Sequence, residues 1–328
     1  MVTQMTSEMD HLSRGYLLLL QNQFADAIVE FDAVLALAPE NFYAHWNKAT
    51  ALLSLGDYTR GFAEHEYGWR LWNFRGPPVG ADIKRVRMLP LWRGECGGRL
   101  LVYHELGFGD AIMMLRYLPE LARRAAVTLV ALAPLHRLAQ SVAPDVEVAE
   151  RVPASLTGYD FRLPLFGTML ALRQTLADIP GAPYISADWQ RLGGKKLGIA
   201  WAGRTQRSFP LADFLARLGH GYEFFSITAE PVDRPDVKAL PPGDFVDTAA
   251  RIACMDHVVT VDTAAAHLAG AMGHPSVHLL LPFMMDWRWW HAGTWYPAIK
   301  TYRQETPDDW YWPFRRLNEA LVKGSPTA

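Results

Sequence analysis

Three short runs of residues could do chemistry together. In Glu105-Leu106-Gly107-Phe108-Gly109-Asp110 a carboxylate follows two glycines at the point where a strand gives way to a helix. Such a carboxylate can take a proton from a hydroxyl as a general base, although Asp at a helix start is also a common cap or dipole partner. Gly107 and Gly109 permit close backbone approach. The second run is Asp262-Thr263-Ala264-Ala265-Ala266-His267, set between an apolar strand, Val258 to Val261, and a helix of small residues, Ala264 to Gly273. A helix N-terminus facing the carboxyl end of a parallel strand stabilises an anion such as a diphosphate, through its free N–H groups and the helix dipole. Asp262 or Thr263 can cap this helix, the alanines leave room for a ligand, and His267 lies one turn on, on the side of Thr263. In the third run Arg204 and Arg207 follow a strand end and offer guanidinium groups suited to bidentate phosphate contact.

Several other chemistries lack their residues. A dinucleotide fingerprint would need glycine at position 112, which is Ile, so nicotinamide or flavin binding is disfavoured. There is no Asp-x-Asp pair for a divalent metal–diphosphate complex, and neither a nucleophile elbow nor a phosphate-binding P-loop. Cys96 and Cys254 lie far apart without metal-ligand spacing and read as reduced, buried fillers. No metal and no cofactor is expected.

The elements that must position these runs follow from pattern. From Arg99 the chain alternates strands and helices: LLVYHE, a helix from Asp110 to Arg124, VTLVALA, a strand near Val146, Tyr159 to Leu165, and a helix from Gly167 to Leu176. A second unit begins at Lys195 with KKLGIAWAG, followed by a helix from Leu211 to Leu218, YEFFSIT, and the apolar strands around Asp262, with Val277 to Leu281 closing the set. This order predicts two mainly parallel α/β sheets, with ligands beyond the carboxyl ends of the strands. The segment Trp312 to Val322 is expected to form a terminal helix that crosses back onto the first unit. Trp287, Trp289, Trp290 and Trp295 could stack on a base or sugar, or pack between domains.

Ahead of these units an internal repeat pairs Gly15, Asn22, Phe24 and Ala27 with Ala49, Gly56, Tyr58 and Gly61, each 34 positions apart, the tetratricopeptide period. Two such units are too few to bury a core alone, so Trp69, Leu71 and Trp72 are expected to dock on the next domain. Residues Phe74 to Gly80 and Pro180 to Asp188 read as connections rich in Pro and Gly. The length of 328 residues suits two or three domains, and 50% hydrophobic with 20% charged residues suits a globular protein with a sizeable core. A net charge of −2 provides no field for nucleic acid. No apolar run is long enough to span a membrane and no leader is evident, so a soluble cytoplasmic protein is expected.

From about Leu91 to Lys323 the chain resembles GT-B glycosyltransferases of the ADP-heptose:lipopolysaccharide heptosyltransferase type, and as a whole it resembles bacterial tetratricopeptide proteins carrying such a domain. The resemblance rests on E-x-G-x-G-D at Glu105 to Asp110 with Arg116-Tyr117-x-Pro119, on W-x-G-x-x-x-R-S-F-P at Trp201 to Pro210, and on V-D-T-A-x-A-H-L-A-G-A-x-G-x-P at Val261 to Pro275, extended by Asp286-Trp287-Arg288. It implies an α/β GT-B fold: residues 1–75 as tetratricopeptide-like repeats, 76–188 as an acceptor-binding Rossmann-like domain, and 189–328 as the nucleotide-sugar-binding one. It implies Asp110 as the general base, with Arg204, Arg207, Asp262, Thr263 and His267 on the donor diphosphate, and Ser226 and Glu230 on the nucleotide. Gly107, Gly109, Asp286 and Arg288 complete the site. The expected activity is inverting, metal-independent transfer of a sugar from a nucleotide-diphosphate sugar to a hydroxyl, with a protein or glycan acceptor reached through the helical repeats. A noncatalytic adaptor that binds nucleotide or a partner, and a sugar-nucleotide epimerase, are the alternatives.

Overall fold

The computed structural model describes residues 2–71, 82–186, 195–203, 208–239 and 243–324. Four consecutive helices come first: α1 (Val2–Leu20), α2 (Phe24–Leu37), α3 (Phe42–Ser54) and α4 (Tyr58–Leu71), each packed on the next. The turns that lead into α2 and α4 occupy the same place in the 34-residue period. There Asn22 (φ 60°) and Gly56 (φ 84°) adopt the left-handed backbone that these two residue types tolerate best. Asn41 caps α3, its side chain accepting from the Ala44 amide at 3.0 Å. Phe24, Ala27 and Phe31 of α2 pack with Leu19 and Ala51 into a small core of their own.

This core is not closed by the four helices alone. Tyr58 and Phe62 of α4 are buried against Trp287, and Tyr58 also meets Trp295, whose indole N–H donates to the tyrosine hydroxyl at 2.8 Å. Phe24 meets Trp290 edge-on, with ring centroids 5.2 Å apart. The docking surface on the helical segment thus begins at Tyr58. Trp72 and the side chains of Trp69 and Leu71, expected to serve this role, lie outside the described residues. Of the two uses open to the tryptophans from 287 to 295, packing between parts of the fold accounts for the burial of Trp287, Trp289 and Trp295.

After the short α5 (Ile83–Val86), the first α/β unit contains β1 (Arg99–Tyr103), α6 (Phe108–Leu115), α7 (Leu118–Arg124), β2 (Ala126–Val130), α8 (His136–Val142), β3 (Glu147–Ala149), β4 (Phe161–Pro164) and the one-turn α9 (Thr168–Ala171). Its four parallel strands run in the order β3-β2-β1-β4. The single helix expected from Asp110 to Arg124 is two, because Pro119 lacks the N–H to continue the first and instead sits in the first turn of α7. The second unit contains β5 (Lys196–Ala200), α10 (Leu211–Arg217), β6 (Glu223–Ser226), β7 (Val237–Lys238), α11 (Phe245–Ala253), β8 (His257–Val261), α12 (Ala264–Ala271), β9 (Val277–Leu281), α13 (Trp287–Trp290), α14 (Ala292–Trp295), β10 (Ile299–Arg303) and α15 (Tyr311–Gly324). Its six parallel strands run β10-β9-β8-β5-β6-β7. The interior strands β8 and β9 are buried at every position, as the continuous apolar runs of the sequence require of a sheet covered on both faces.

Two expectations are corrected here. The terminal helix α15 stays with its own sheet: Phe314, Leu317 and Leu321, one apolar stripe, pack with Leu197, Ile199, Phe214 and Tyr302, and Asn318 donates to the Arg217 carbonyl at 2.8 Å. Contacts such as that of Arg116, at the end of α6, join the two units instead: its guanidinium donates to the carbonyls of Pro180 (2.7 Å) and Trp295 (3.2 Å). Cys96 is exposed in a glycine-rich turn and Cys254 only half-buried, so neither is a buried filler. Among the described residues no helix is long and apolar enough to cross a membrane.

Two outcomes follow from this packing. Tyr58→Phe leaves the buried Trp295 indole N–H without its acceptor and should cost about 1–3 kcal/mol, read as a lower urea midpoint; an unchanged midpoint would contradict the docking role. Beneath the second sheet, His257, Ser276, His278 and Tyr302 form a buried hydrogen-bonded chain with links of 2.7–2.9 Å. Burial pushes His278 from 6.5 down to about 3 and lowers His257 as well. In that interval the unfolded chain binds protons that the folded one refuses, so stability should be full above pH 6.5 and decline as pH falls from there toward 3. His278→Gln should flatten this part of a stability–pH curve.

Candidate functional site

Strand order places the site. In the first sheet β1 has β2 on one side and β4 on the other, so the connections diverge beyond its carboxyl end, where Glu105 to Asp110 lie. In the second sheet β5 stands between β6 and β8, and the loops at Ala202–Gly203 and Asp262–Thr263 lie beyond their ends. Crevices at such switch points are where open parallel sheets bind ligands. Here the two crevices open on one cavity of about 600 Å³, a size common for small-molecule sites. Gly107 to Asp110, Ala202, Gly203, Asp262 to Ala265, His267 and Asp286 to Arg288 all line it. Of the expected residues, Asp110, Asp262, Thr263, His267, Asp286 and Arg288 are therefore brought together.

Asp110 is the third residue of α6, and its Oδ2 accepts from the Gly107 amide at 2.9 Å, which fixes the carboxylate at the cavity wall. Its Oδ1 is ion-paired with Arg288 from the other unit. Arg288 also pairs with Asp286 at 2.6 Å, and Asp286 caps the short helix α13 through the Arg288 amide. The guanidinium lies over the rings of Trp287 and Phe166, 4.5 and 5.2 Å from their centroids. Although burial opposes the charge, Asp110, Asp286 and Asp262 hold the Arg288 pKa above its ordinary value.

Across the cavity, Thr263 is the N-cap residue of α12 by backbone geometry (φ −145°, ψ 171°). Its hydroxyl is turned to Thr260, at 3.1 Å, and does not cap the helix. His267 is buried: its Nδ1 lies 3.0 Å from the Tyr296 hydroxyl and its ring packs on Trp289, centroids 4.6 Å apart. It also fills the space over Gly109, where a Cβ would stand 2.6 Å from His267 Cδ2. His267 is thus the wedge that joins α12 to α6, and its glycine partner is needed for close approach rather than for a turn.

Two sequence-predicted nucleotide contacts are placed elsewhere. Ser226 is buried behind the cavity wall, its hydroxyl turned onto Thr228, and Glu230 is exposed outside the lining. Between them Ile227, Thr228 and Ala229 face the cavity. Arg204 and Arg207 lie outside the described residues, but the ends of their loop are tied at the cavity: the Gly203 amide donates to Ser208 Oγ at 2.9 Å, and the Phe209 amide to the Trp201 carbonyl at 2.9 Å.

Several lining residues were not foreseen. Trp46, Thr50 and His65 come from the helical segment, and nothing local in their sequence signals this, because it depends on how α3 and α4 dock. Burial and the nearby Arg288 push His65 down to about 3, so it is neutral. Asp244 and Phe245 open α11 at the cavity; the Asp244-x-x-Asp247 capping box, with Asp244 accepting at 2.8 and 3.1 Å, was the available signal. Glu105 accepts from the Leu165 and Phe166 amides at 3.0 and 2.8 Å, and burial raises its carboxyl to about 8. It braces the loop that carries Asp110. Among the described residues no group of three or more His, Cys, Asp and Glu is placed to hold a metal ion.

With this geometry in place, comparison with known proteins bears on the class. Residues 222–282, from the start of β6 to just past β9, match the model of glycosyltransferase family 9 (heptosyltransferase). Protein FlbA of Caulobacter vibrioides is 25% identical over 391 aligned positions, covering 90% of this chain, which spans 64% of that protein's length. Among solved structures, the E. coli heptosyltransferase WaaC with ADP aligns over 69% of this chain and 100% of its own, at 13% identity and a TM-score of 0.46. The Thermobaculum terrenum O-GlcNAc transferase aligns over 94% and 84%, at 13% identity and a TM-score of 0.32. The segment that matches glycosyltransferase family 9 supplies Ile227 to Ala229, Asp244, Phe245 and Asp262 to Ala265 to the cavity lining, on the side of the second sheet.

Gly109→Ala tests the junction of the two units: the added Cβ must displace the buried His267 ring. The expected cost is about 1–3 kcal/mol in urea unfolding; a variant as stable as its parent would show that α6 and α12 are less tightly apposed.

Proposed function

We propose that the chain is an inverting, metal-independent glycosyltransferase of GT-B architecture that moves a sugar from a nucleotide-diphosphate sugar to a hydroxyl acceptor. In this assignment residues 1–75 are tetratricopeptide-like repeats, 76–188 the acceptor-binding domain and 189–328 the donor-binding domain of a cytoplasmic enzyme. The observation that carries it is that the Asp110 carboxylate and the N-terminus of α12 face the same cavity from opposite sheets. The family 9 match supports the use of a nucleotide-sugar donor.

The chemistry then divides between the two walls. Asp110 takes the proton of the acceptor hydroxyl as its oxygen forms a bond to the anomeric carbon, while the bond from that carbon to the diphosphate breaks and the electron pair leaves with the phosphate. The amides at Thr263 to Ala265 and the guanidiniums of Arg204 and Arg207 receive the charge that develops on the leaving group. Ile227, Thr228 and Ala229 take the nucleotide contacts first assigned to Ser226 and Glu230. A protein or glycan acceptor approaches along Trp46, Thr50 and His65, since these are the helical-segment residues in the cavity wall. One observation favours a second reading, that of a nucleotide-binding adaptor: both oxygens of Asp110 already have partners, Gly107 and Arg288.

Incubation with ADP-, GDP- and UDP-sugars decides between them. The expected result is saturable binding of at least one donor and slow hydrolysis, with Asp110→Asn lowering turnover by about 10²–10⁴ while the nucleoside diphosphate still binds. Binding without any turnover would favour the adaptor, and no binding of any of the three would end both.

A further inference from the structure

Among the described residues, the cavity wall holds a cation, Arg288, whose partners do not use up its donors. Arg288 Nη1 donates to Asp286 on its own short helix and Nη2 to Asp110 of the opposite unit, while Nε is buried and makes no hydrogen bond with the described residues. Arg288 thus stands between an intramolecular carboxylate and the space where a phosphate oxygen would lie, and Asp262, at the mouth of α12, contributes to the same field. Its contacts with the rings of Trp287 and Phe166 hold the guanidinium in place whichever anion it faces.

We propose that Arg288 is a positioning residue that acts as an anion-operated latch: it holds Asp110 while the cavity is free, and the diphosphate of an incoming nucleotide competes with Asp110 for it. This rests on the donor assignment above. A carboxylate clasped by a guanidinium is a poorer base than one released from it. Arrival of the donor therefore frees the Asp110 oxygen that must take the acceptor proton, and the cost of breaking the Asp110–Arg288 pair is borne by donor binding. The opposing groups are accounted for: His65 is neutral, and Asp286 stays on Nη1.

The test is a double-mutant cycle on ADP, GDP and UDP affinity by titration calorimetry with the full chain. Removing the competitor in Asp110→Asn should tighten nucleoside diphosphate binding by on the order of tenfold, the range of close charge coupling. In an Arg288→Gln background the same change should have almost no effect. If Asp110→Asn tightens binding equally in both backgrounds, simple repulsion explains it and the latch is overturned; if it weakens binding or leaves it unchanged in the native background, the competition does not exist. Should Arg288→Gln fail to fold, Arg288→Lys serves, since lysine keeps the charge but loses the fork; the gain from Asp110→Asn should then shrink, and an undiminished gain counts against the latch. Failure of every nucleotide to bind the native chain would instead overturn the donor assignment, and the latch with it.

Discussion

The Asp110–Arg288 ion pair joins the two sheets at the point where both face the cavity. One partner is carried by the first turn of α6 and the other by α13, so neither unit alone possesses the arrangement. Removing a buried pair's single partner is expensive because the other charge is left uncompensated. The surroundings are built to keep both. Gly107 donates to the carboxylate, Asp286 shares the guanidinium, and the rings of Trp287 and Phe166 pack against it.

Packing around the pair fixes its geometry. A continuous apolar core runs from Leu53, Tyr58 and Phe62 of the helical segment through Trp287 and Trp295 to Ile112 and Met113 of α6 and Ala266 and Leu268 of α12. Phe108 meets Phe245 across the cavity mouth at 5.1 Å, and Arg137 reaches Asp244 at 3.1 Å. The second contact is between exposed groups and contributes little; the aromatic one and the His267–Gly109 wedge set the spacing. The helical segment is thus a third wall of the cavity rather than an appendage, because Trp46, Thr50 and His65 complete it.

Much of this was legible in the residues. Apolar runs at Val258–Val261 and Val277–Leu281 became fully buried parallel strands because such runs suit a sheet covered on both faces. The order of strands and helices was enough to bring Asp110 and Asp262–Thr263 to one crevice. The repeat was legible through Asn22 and Gly56, which mark equivalent turns. The missed features depend on distance in sequence. Arg288 was singled out without its partner, 178 positions away, since nothing local links the two. Phe314, Leu317 and Leu321 showed an apolar stripe but not which sheet would cover it, and α15 took the nearer one. Ser226 came from the resemblance, yet at the last position of β6 it is buried, and the residues just past the strand, Ile227 to Ala229, line the cavity instead.

The measurement that bears most directly on the central claim is a crystal structure of the chain with a non-hydrolysable nucleotide sugar bound. The expected result is a diphosphate within hydrogen-bonding distance of the amides at Thr263 to Ala265, with Arg288 turned to a phosphate oxygen and Asp110 facing the anomeric carbon. A nucleotide seated outside this cavity, or one whose diphosphate lies away from the start of α12 while Asp110 points elsewhere, would contradict it.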